Sequence, residues 1–172
     1  IGSNPAEAHP ISMLHFLHAK ELGAKMVVID PRFTRTARFA DHYVRVRPGT
    51  DIPLVWGMLW HIFQNGWEDK AFIEQRTYGM EEVRKEVAKW TPDKVSDVTG
   101  VPESAVRLAA EMLATNRPSS VVWCMGITQH HVGTANVRAL SILQLALGNI
   151  GVAGGGANIY RGHDNVQGAT DI

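Results

Sequence analysis

Arg32, Arg35, Arg38, Arg45 and Arg47 place five guanidinium groups within sixteen residues, and Asp30 and Asp41 are the carboxylates nearest to them in sequence. Guanidinium groups stay charged and match phosphate oxygens two at a time, so the segment predicts a bound anion, for which a diphosphate is a fitting guest. A solvated basic edge would account for the same residues. Gly2-Ser3-Asn4, with Glu7 close behind, is a small-residue loop able to turn backbone N–H groups toward a phosphate. It lacks the three-glycine spacing of dinucleotide-binding turns, and an ordinary strand-to-helix turn uses the same residues. Asp30, followed by Pro31 and Arg32, stands where a strand-end acid meets a ribose hydroxyl or a base edge, or caps a turn. Gly49-Thr50-Asp51 brings a carboxylate that can accept hydrogen bonds from a guanine edge, cap the helix that follows, or do both.

Other reactive residue types carry less. Of eight histidines, His15 and His18 are spaced i,i+3 with no third ligand beside them, and His130-His131 are adjacent, so their side chains diverge. Neither pair predicts a metal site. Cys124 is the single cysteine and ends an apolar run, so burial rather than thiolate chemistry is expected of it. One cysteine also excludes an internal disulfide, a cysteine-built zinc site and an iron–sulfur cluster ligated by this chain alone.

The elements that must position these residues read as alternating strand and helix. Ile1-Gly2-Ser3-Asn4-Pro5 has the look of a loop following a strand that precedes Ile1, so the chain is expected to be an internal piece of a longer protein. A helix from Pro10 to Leu22, a buried strand over Met26–Ile29 and a half-buried strand over His42–Arg47 follow, the last with Arg45 and Arg47 on one side. Asp51 opens a helix reaching about residue 64. Segments 69–76, 80–89 and 102–115 are amphipathic helices, so about 66–116 is expected to be a helical insertion. Ser119 to Trp123 is a further strand and Thr134 to Leu147 a helix, and an irregular tail occupies 152–172 beyond the Gly154-Gly155-Gly156 run. The expected fold is α/β, one domain over 1–172 built on a Rossmann-like parallel sheet flanked by helices. Ligands of such sheets bind beyond the carboxyl ends of the strands, where the residues above converge.

Composition narrows the partners. The 17 basic and 17 acidic side chains cancel, which argues against a broad grip on nucleic acid or anionic lipid. The longest apolar stretches, around 52–63 and 137–150, are interrupted by polar residues and fall short of the ~20 residues of a membrane span.

Taken in order, Gly2-Ser3-Asn4-Pro5-Ala6-Glu7 with His9-Pro10, Asp30-Pro31-Arg32, Gly49-Thr50-Asp51, Met125-Gly126-Ile127-Thr128-Gln129-His130, Gly148-Asn149-Ile150-Gly151 and Arg161-Gly162-His163-Asp164-Asn165-Val166-Gln167-Gly168 resemble one family across the whole chain. They are similar to the catalytic subunit of molybdenum- or tungsten-dependent formate dehydrogenases, within the molybdopterin oxidoreductases. The resemblance implies a bis(molybdopterin guanine dinucleotide) cofactor. Gly2, Ser3, Asn4 and Glu7 correspond to its first loop, Asp30, Pro31 and Arg32 to the nucleotide end, and Gly49, Thr50 and Asp51 to the guanine side. Met125, Gly126 and Gln129 correspond to positions lining the pterin, with His163 also on the cofactor. Arg161 resembles the arginine that orients formate through a two-pronged hydrogen bond.

The resemblance also implies partners that this chain does not contain: the metal-ligating Cys or Sec, a [4Fe-4S] cluster in the parent subunit, the remainder of that subunit, and an iron–sulfur electron-transfer subunit. Where several soluble members carry Arg-Gly-Gln-Asn-Asn, this chain has Arg161-Gly162-His163-Asp164-Asn165, a pattern closer to membrane-associated respiratory enzymes. Its implied location is the periplasm, with the cytoplasm as the alternative. A nitrate or other oxyanion reductase would share the nucleotide motifs but lack an arginine like Arg161. A non-catalytic guanine-nucleotide module would keep the loops without redox chemistry.

Overall fold

The computed structural model describes residues 1–163 and Val166. A short helical turn, α1 (Pro5–Ala8), runs directly into α2 (Pro10–Glu21), each with proline in its first turn. The β-branched run Val27–Ile29 forms β1, and a 3-10 turn over Ala37–Phe39 leads to β2 (His42–Val44). Helix α3 (Asp51–Gln64) is the hub: Leu54, Val55, Met58, Leu59 and Ile62 are buried along one side of it. The helical block comprises α4 (Lys70–Arg76), α5 (Met80–Val87), α6 (Pro92–Thr99) and α7 (Glu103–Thr115). The chain continues through β3 (Ser120–Trp123), α8 (Met125–Thr128), α9 (Gly133–Ala146) and β4 (Gly156–Ile159).

One hydrophobic core joins strands and helical block. Val87, Val95, Val106 and Ala110 from the block share a cluster with Val44, Val121, Leu140 and Leu143. Gly57 lets α6 and α7 close on α3, since a Cβ there would stand 2.7 Å from Val95 Cγ1. The cis Arg117–Pro118 peptide then turns the chain from α7 into β3.

Among the described residues all strand pairing is parallel, β1 with β2 and β3 with β4, Val28 facing Tyr43 and Val122 facing Asn158. The expected single sheet is seen as two pairs. Their facing edges, β1 and β3, are bridged at one end where the Ile1 amine donates to the Val122 carbonyl (2.8 Å) and the Gly2 N–H to the Ile29 carbonyl (3.0 Å). Behind this bridge a cleft of about 730 Å³, lined by Val28, Val121, Val122, Met58 and Leu140 among others, separates the edges.

Three local expectations change. β2 ends at Val44, because the Arg47 N–H leaves the ladder for the Thr99 carbonyl and the Arg47 guanidinium donates to the carbonyls of Asp97 (3.0 Å) and Val98 (2.8 Å) at the end of α6. Helix α6, absent from the sequence reading, is delimited by Pro92 and by Gly100 at φ 71°. The tail expected to be irregular from 152 instead contains β4, which pairs with β3 because α9 returns the chain parallel to it. Residues 164, 165 and 167–172 of that tail lie outside the described residues.

Candidate functional site

The loops at the carboxyl ends of β1 and β3 and the start of α3 enclose a cavity of about 260 Å³. Gly2, Ser3, Asn4, Asp30, Pro31, Arg32, Asp51 and Gly126 line it, together with Ile29, Thr34 and Val46. Eight of the residues singled out from sequence therefore meet on one rim, from four separate segments.

Close backbone packing sets its floor. The Gly126 N–H donates to the Gly2 carbonyl at 3.1 Å, and a Cβ built on Gly126 would lie 2.6 Å from that oxygen. Gly2 itself sits at φ 57°, a conformation suited to glycine. Asn4 is fixed by Thr36, whose N–H (3.3 Å) and hydroxyl (2.7 Å) donate to Asn4 Oδ1, while Asn4 Nδ2 donates to Glu7. The Thr36 hydroxyl also accepts from the Ala6 N–H at 3.0 Å, and the N–H groups of Glu7 and Ala8 close on the Asn4 carbonyl. The amides of Ala6, Glu7 and Ala8 are therefore engaged locally. The Ser3 hydroxyl is buried and has no hydrogen-bond partner.

The carboxylates differ in what they already do. Asp30 Oδ1 accepts from the Arg32 N–H at 2.9 Å, a local turn, and its carbonyl accepts from the Tyr43 hydroxyl. Asp51 is only 8% exposed yet is not the helix cap: Thr50 occupies that position, and neither residue makes a side-chain cap hydrogen bond. The capping expected of Asp51 is thereby corrected, since Asp51 is already the first helical residue, and the Thr50 hydroxyl turns back to the Arg47 carbonyl at 2.6 Å. Burial pushes the Asp51 carboxyl above its ordinary value, against the opposing pull of His130 and of its own backbone N–H. His130 Nε2 lies 3.9 Å from Asp51 Oδ2 and donates to the Gly126 carbonyl at 2.9 Å.

The arginine cluster does not converge on the cavity. Arg32 (3.8 Å) and Arg35 (3.4 Å) face Glu7, a carboxylate remote in sequence, and Arg47 serves the end of α6. Arg32 alone of the five lines the rim. With Asp30 and Asp41 joined by Glu7, the segment is less basic in space than in sequence.

Several predicted residues lie elsewhere. Gly49 and Thr50 flank Asp51 without lining the cavity. Gln129 is exposed and closes α8 through its backbone N–H. Met125 is 46% exposed and belongs to a second cluster at the end of β4: a Cβ on Gly162 would lie 2.8 Å from Met125 Cε. Arg161 is half-buried beside it, its carbonyl accepting from His9 Nε2 at 2.8 Å, and His163 is exposed. Sequence reasoning missed Thr34 and Thr36, buried in the basic loop, and gave His130 no part beside Asp51. The Thr-x-Thr spacing within that loop was the available signal. Among the described residues no group of three or more His, Cys, Asp or Glu could hold a metal ion.

A doubly edged parallel fold with a polar rim at its strand ends is shared by many nucleotide binders. Here the chain belongs to the molybdopterin oxidoreductase family, whose model matches residues 1–172. It is 44% identical over 171 residues to formate dehydrogenase H of Escherichia coli, covering 99% of this chain and 24% of that protein. To the formate dehydrogenase-O major subunit of the same species it is 35% identical over an alignment of 229 residues, covering 100% of this chain and 22% of that protein. Among solved structures, acetylene hydratase from Pelobacter acetylenicus matches with a TM-score of 0.79 at 33% identity, covering 84% of this chain and 20% of that one. The chain thus spans about a quarter of the length of the curated relatives it matches. Membership implies a molybdopterin cofactor carrying molybdenum or tungsten.

Proposed function

We propose that this chain is the part of a formate dehydrogenase catalytic subunit that holds one end of a bis(molybdopterin guanine dinucleotide) cofactor and supplies the formate-orienting arginine. The observation that carries the reading is the rim itself, where Gly2, Ser3, Asn4, Asp30, Asp51 and Gly126 enclose one cavity. Its unspent groups suit a nucleoside better than a bare diphosphate. Asp51 is a carboxylate without a cap to make, and a carboxylate accepts well from the adjacent N–H donors of guanine. Asp30 and the Ser3 hydroxyl are placed for sugar or base contacts. Two carboxylates beside a single guanidinium would repel phosphate oxygens, so on this reading the diphosphate lies away from them.

When bound, the cofactor supplies the metal centre that accepts two electrons as formate becomes carbon dioxide. What this chain contributes is position. Arg161 would hold the formate carboxylate by two N–H donors, restraining the substrate's rotation, and the rim would fix the far end of the cofactor. Cys124 is a lone free cysteine, so a [4Fe-4S] cluster would be ligated by other parts of the subunit. An iron–sulfur electron-transfer subunit is the expected partner, and the Arg161-Gly162-His163 pattern favours a periplasmic parent over a cytoplasmic one. The similarity to a hydratase shows that this frame serves more than one reaction, so Arg161 is the discriminating residue. In the full-length parent, Arg161→Ala should lower formate turnover ~100-fold with metal content unchanged. Undiminished turnover would rule out the formate assignment.

A further inference from the structure

We propose that His9 is a positioning residue for Arg161, locking the peptide from which the formate-orienting guanidinium projects; this rests on the role given to Arg161 above. His9 lies 152 residues from Arg161 in sequence, yet its Nε2 stands 2.8 Å from the Arg161 carbonyl oxygen. That oxygen can only accept, so Nε2 carries the proton and donates. The other ring nitrogen, Nδ1, is buried without a hydrogen-bond partner, so the contact to Arg161 is what holds the ring in the polar sense.

The histidine is itself held firmly. It is the junction of α1 and α2, its N–H bonded to the Pro5 carbonyl at 2.9 Å and its carbonyl to the Met13 N–H at 3.1 Å. Its ring lies against Tyr160, with centroids 5.0 Å apart, and Phe16 stacks on the same tyrosine at 6.0 Å. Tyr160 in turn extends the β4 register, its N–H donating to the Trp123 carbonyl at 2.8 Å. Three consecutive residues are therefore secured in different ways: Tyr160 by ring contact and ladder, Arg161 by the imidazole, and Gly162 by close packing under Met125.

Fixing the carbonyl fixes the peptide plane beyond the end of the strand. An arginine side chain is long, so a small backbone rotation moves its guanidinium on the order of 1 Å, enough to cost up to ~100-fold in rate.

The test uses the full-length, cofactor-loaded parent enzyme with two complementary substitutions. His9→Phe keeps a ring against Tyr160 and removes the donor; His9→Gln removes the ring and keeps an N–H able to reach the same oxygen. The expectation is that His9→Phe raises the KM for formate about tenfold with a smaller fall in kcat, while His9→Gln stays within about threefold of the parent enzyme, both with unchanged metal content. A purely packing role predicts the reverse order, and that result would overturn the proposal, as would wild-type formate kinetics in His9→Phe. Arg161→Ala run alongside separates the two readings. If it abolishes turnover while His9→Phe behaves as the parent enzyme, the positioning role fails alone; if it leaves turnover intact, the proposed function fails and this inference with it.

Discussion

Two polar regions of the molecule treat their hydrogen-bonding groups in opposite ways. At the junction of the helical block and β3, Arg117 Nε donates to the Ala114 carbonyl (2.8 Å), Nη1 to that of Leu147 (3.1 Å) and Nη2 to that of Trp67, so one guanidinium serves the ends of α7 and α9 and the approach to α4. Next to it, Asn149 Oδ1 accepts from the Ser119 N–H while Nδ2 donates to the Ser119 hydroxyl (2.8 Å) and to Gln144 Oε1 (2.7 Å), and Gln144 Nε2 reaches the Gly156 carbonyl (3.0 Å). These side chains find their partners inside the fold. At the strand-end rim, by contrast, the Ser3 hydroxyl is buried with no partner and the Asp51 carboxyl, nearly enclosed, caps nothing. A saturated network is a structural joint. An unsaturated one at the carboxyl ends of parallel strands costs stability, and the proposed function gives that cost a reason in a ligand.

The contrast can be broken from either side. The largest expected effect is at the joint: Arg117→Ala removes the donors to two helix-end carbonyls and to that of Trp67 and should cost about 3 kcal/mol in denaturant unfolding, well above an ordinary surface change. Asn149→Ala should cost about 2 kcal/mol by the same measurement, because Gln144 and Ser119 lose partners they cannot replace. If either change proves neutral, the joint is not what holds β3 and β4 to α9. Asp51→Asn should act with the opposite sign. Its folded carboxyl titrates above the ordinary value of 3.8, so the folded state binds the proton more tightly and stability declines as pH rises from that value through the folded one. The variant should therefore match the parent chain at pH 3 and exceed it modestly at pH 7. Equal stability at both pH values would mean that the carboxyl is not strained by its enclosure.

Much of this was legible in the residue order, and the failures have causes. Val27–Ile29 and Ser120–Trp123 announce buried strands through their β-branched and apolar runs, and α3 and α9 through helical spacing of apolar residues. Helix α6 was missed because apolar side chains are sparse in Pro92–Thr99, although Pro92 and Gly100 marked both of its ends. β4 was missed because Gly156, Ala157 and Asn158 have weak strand preference; only the partner β3 makes them a strand. At the candidate site, the small residues and acids read at strand ends line one cavity. Charge counting along the chain failed for the arginines, since Glu7 and the end of α6 approach them only in three dimensions. Glycine and methionine at 125–126 part company for a similar reason: Gly126 packs on Gly2, whereas Met125 turns toward Gly162.

The central claim is that the unspent carboxylate of Asp51 grips the guanine end of the cofactor. Its most direct test is the guanine released per mole of subunit from the purified full-length parent carrying Asp51→Asn. The account predicts that this ratio falls to less than half that of the unsubstituted protein while the subunit remains folded. An unchanged ratio would contradict it.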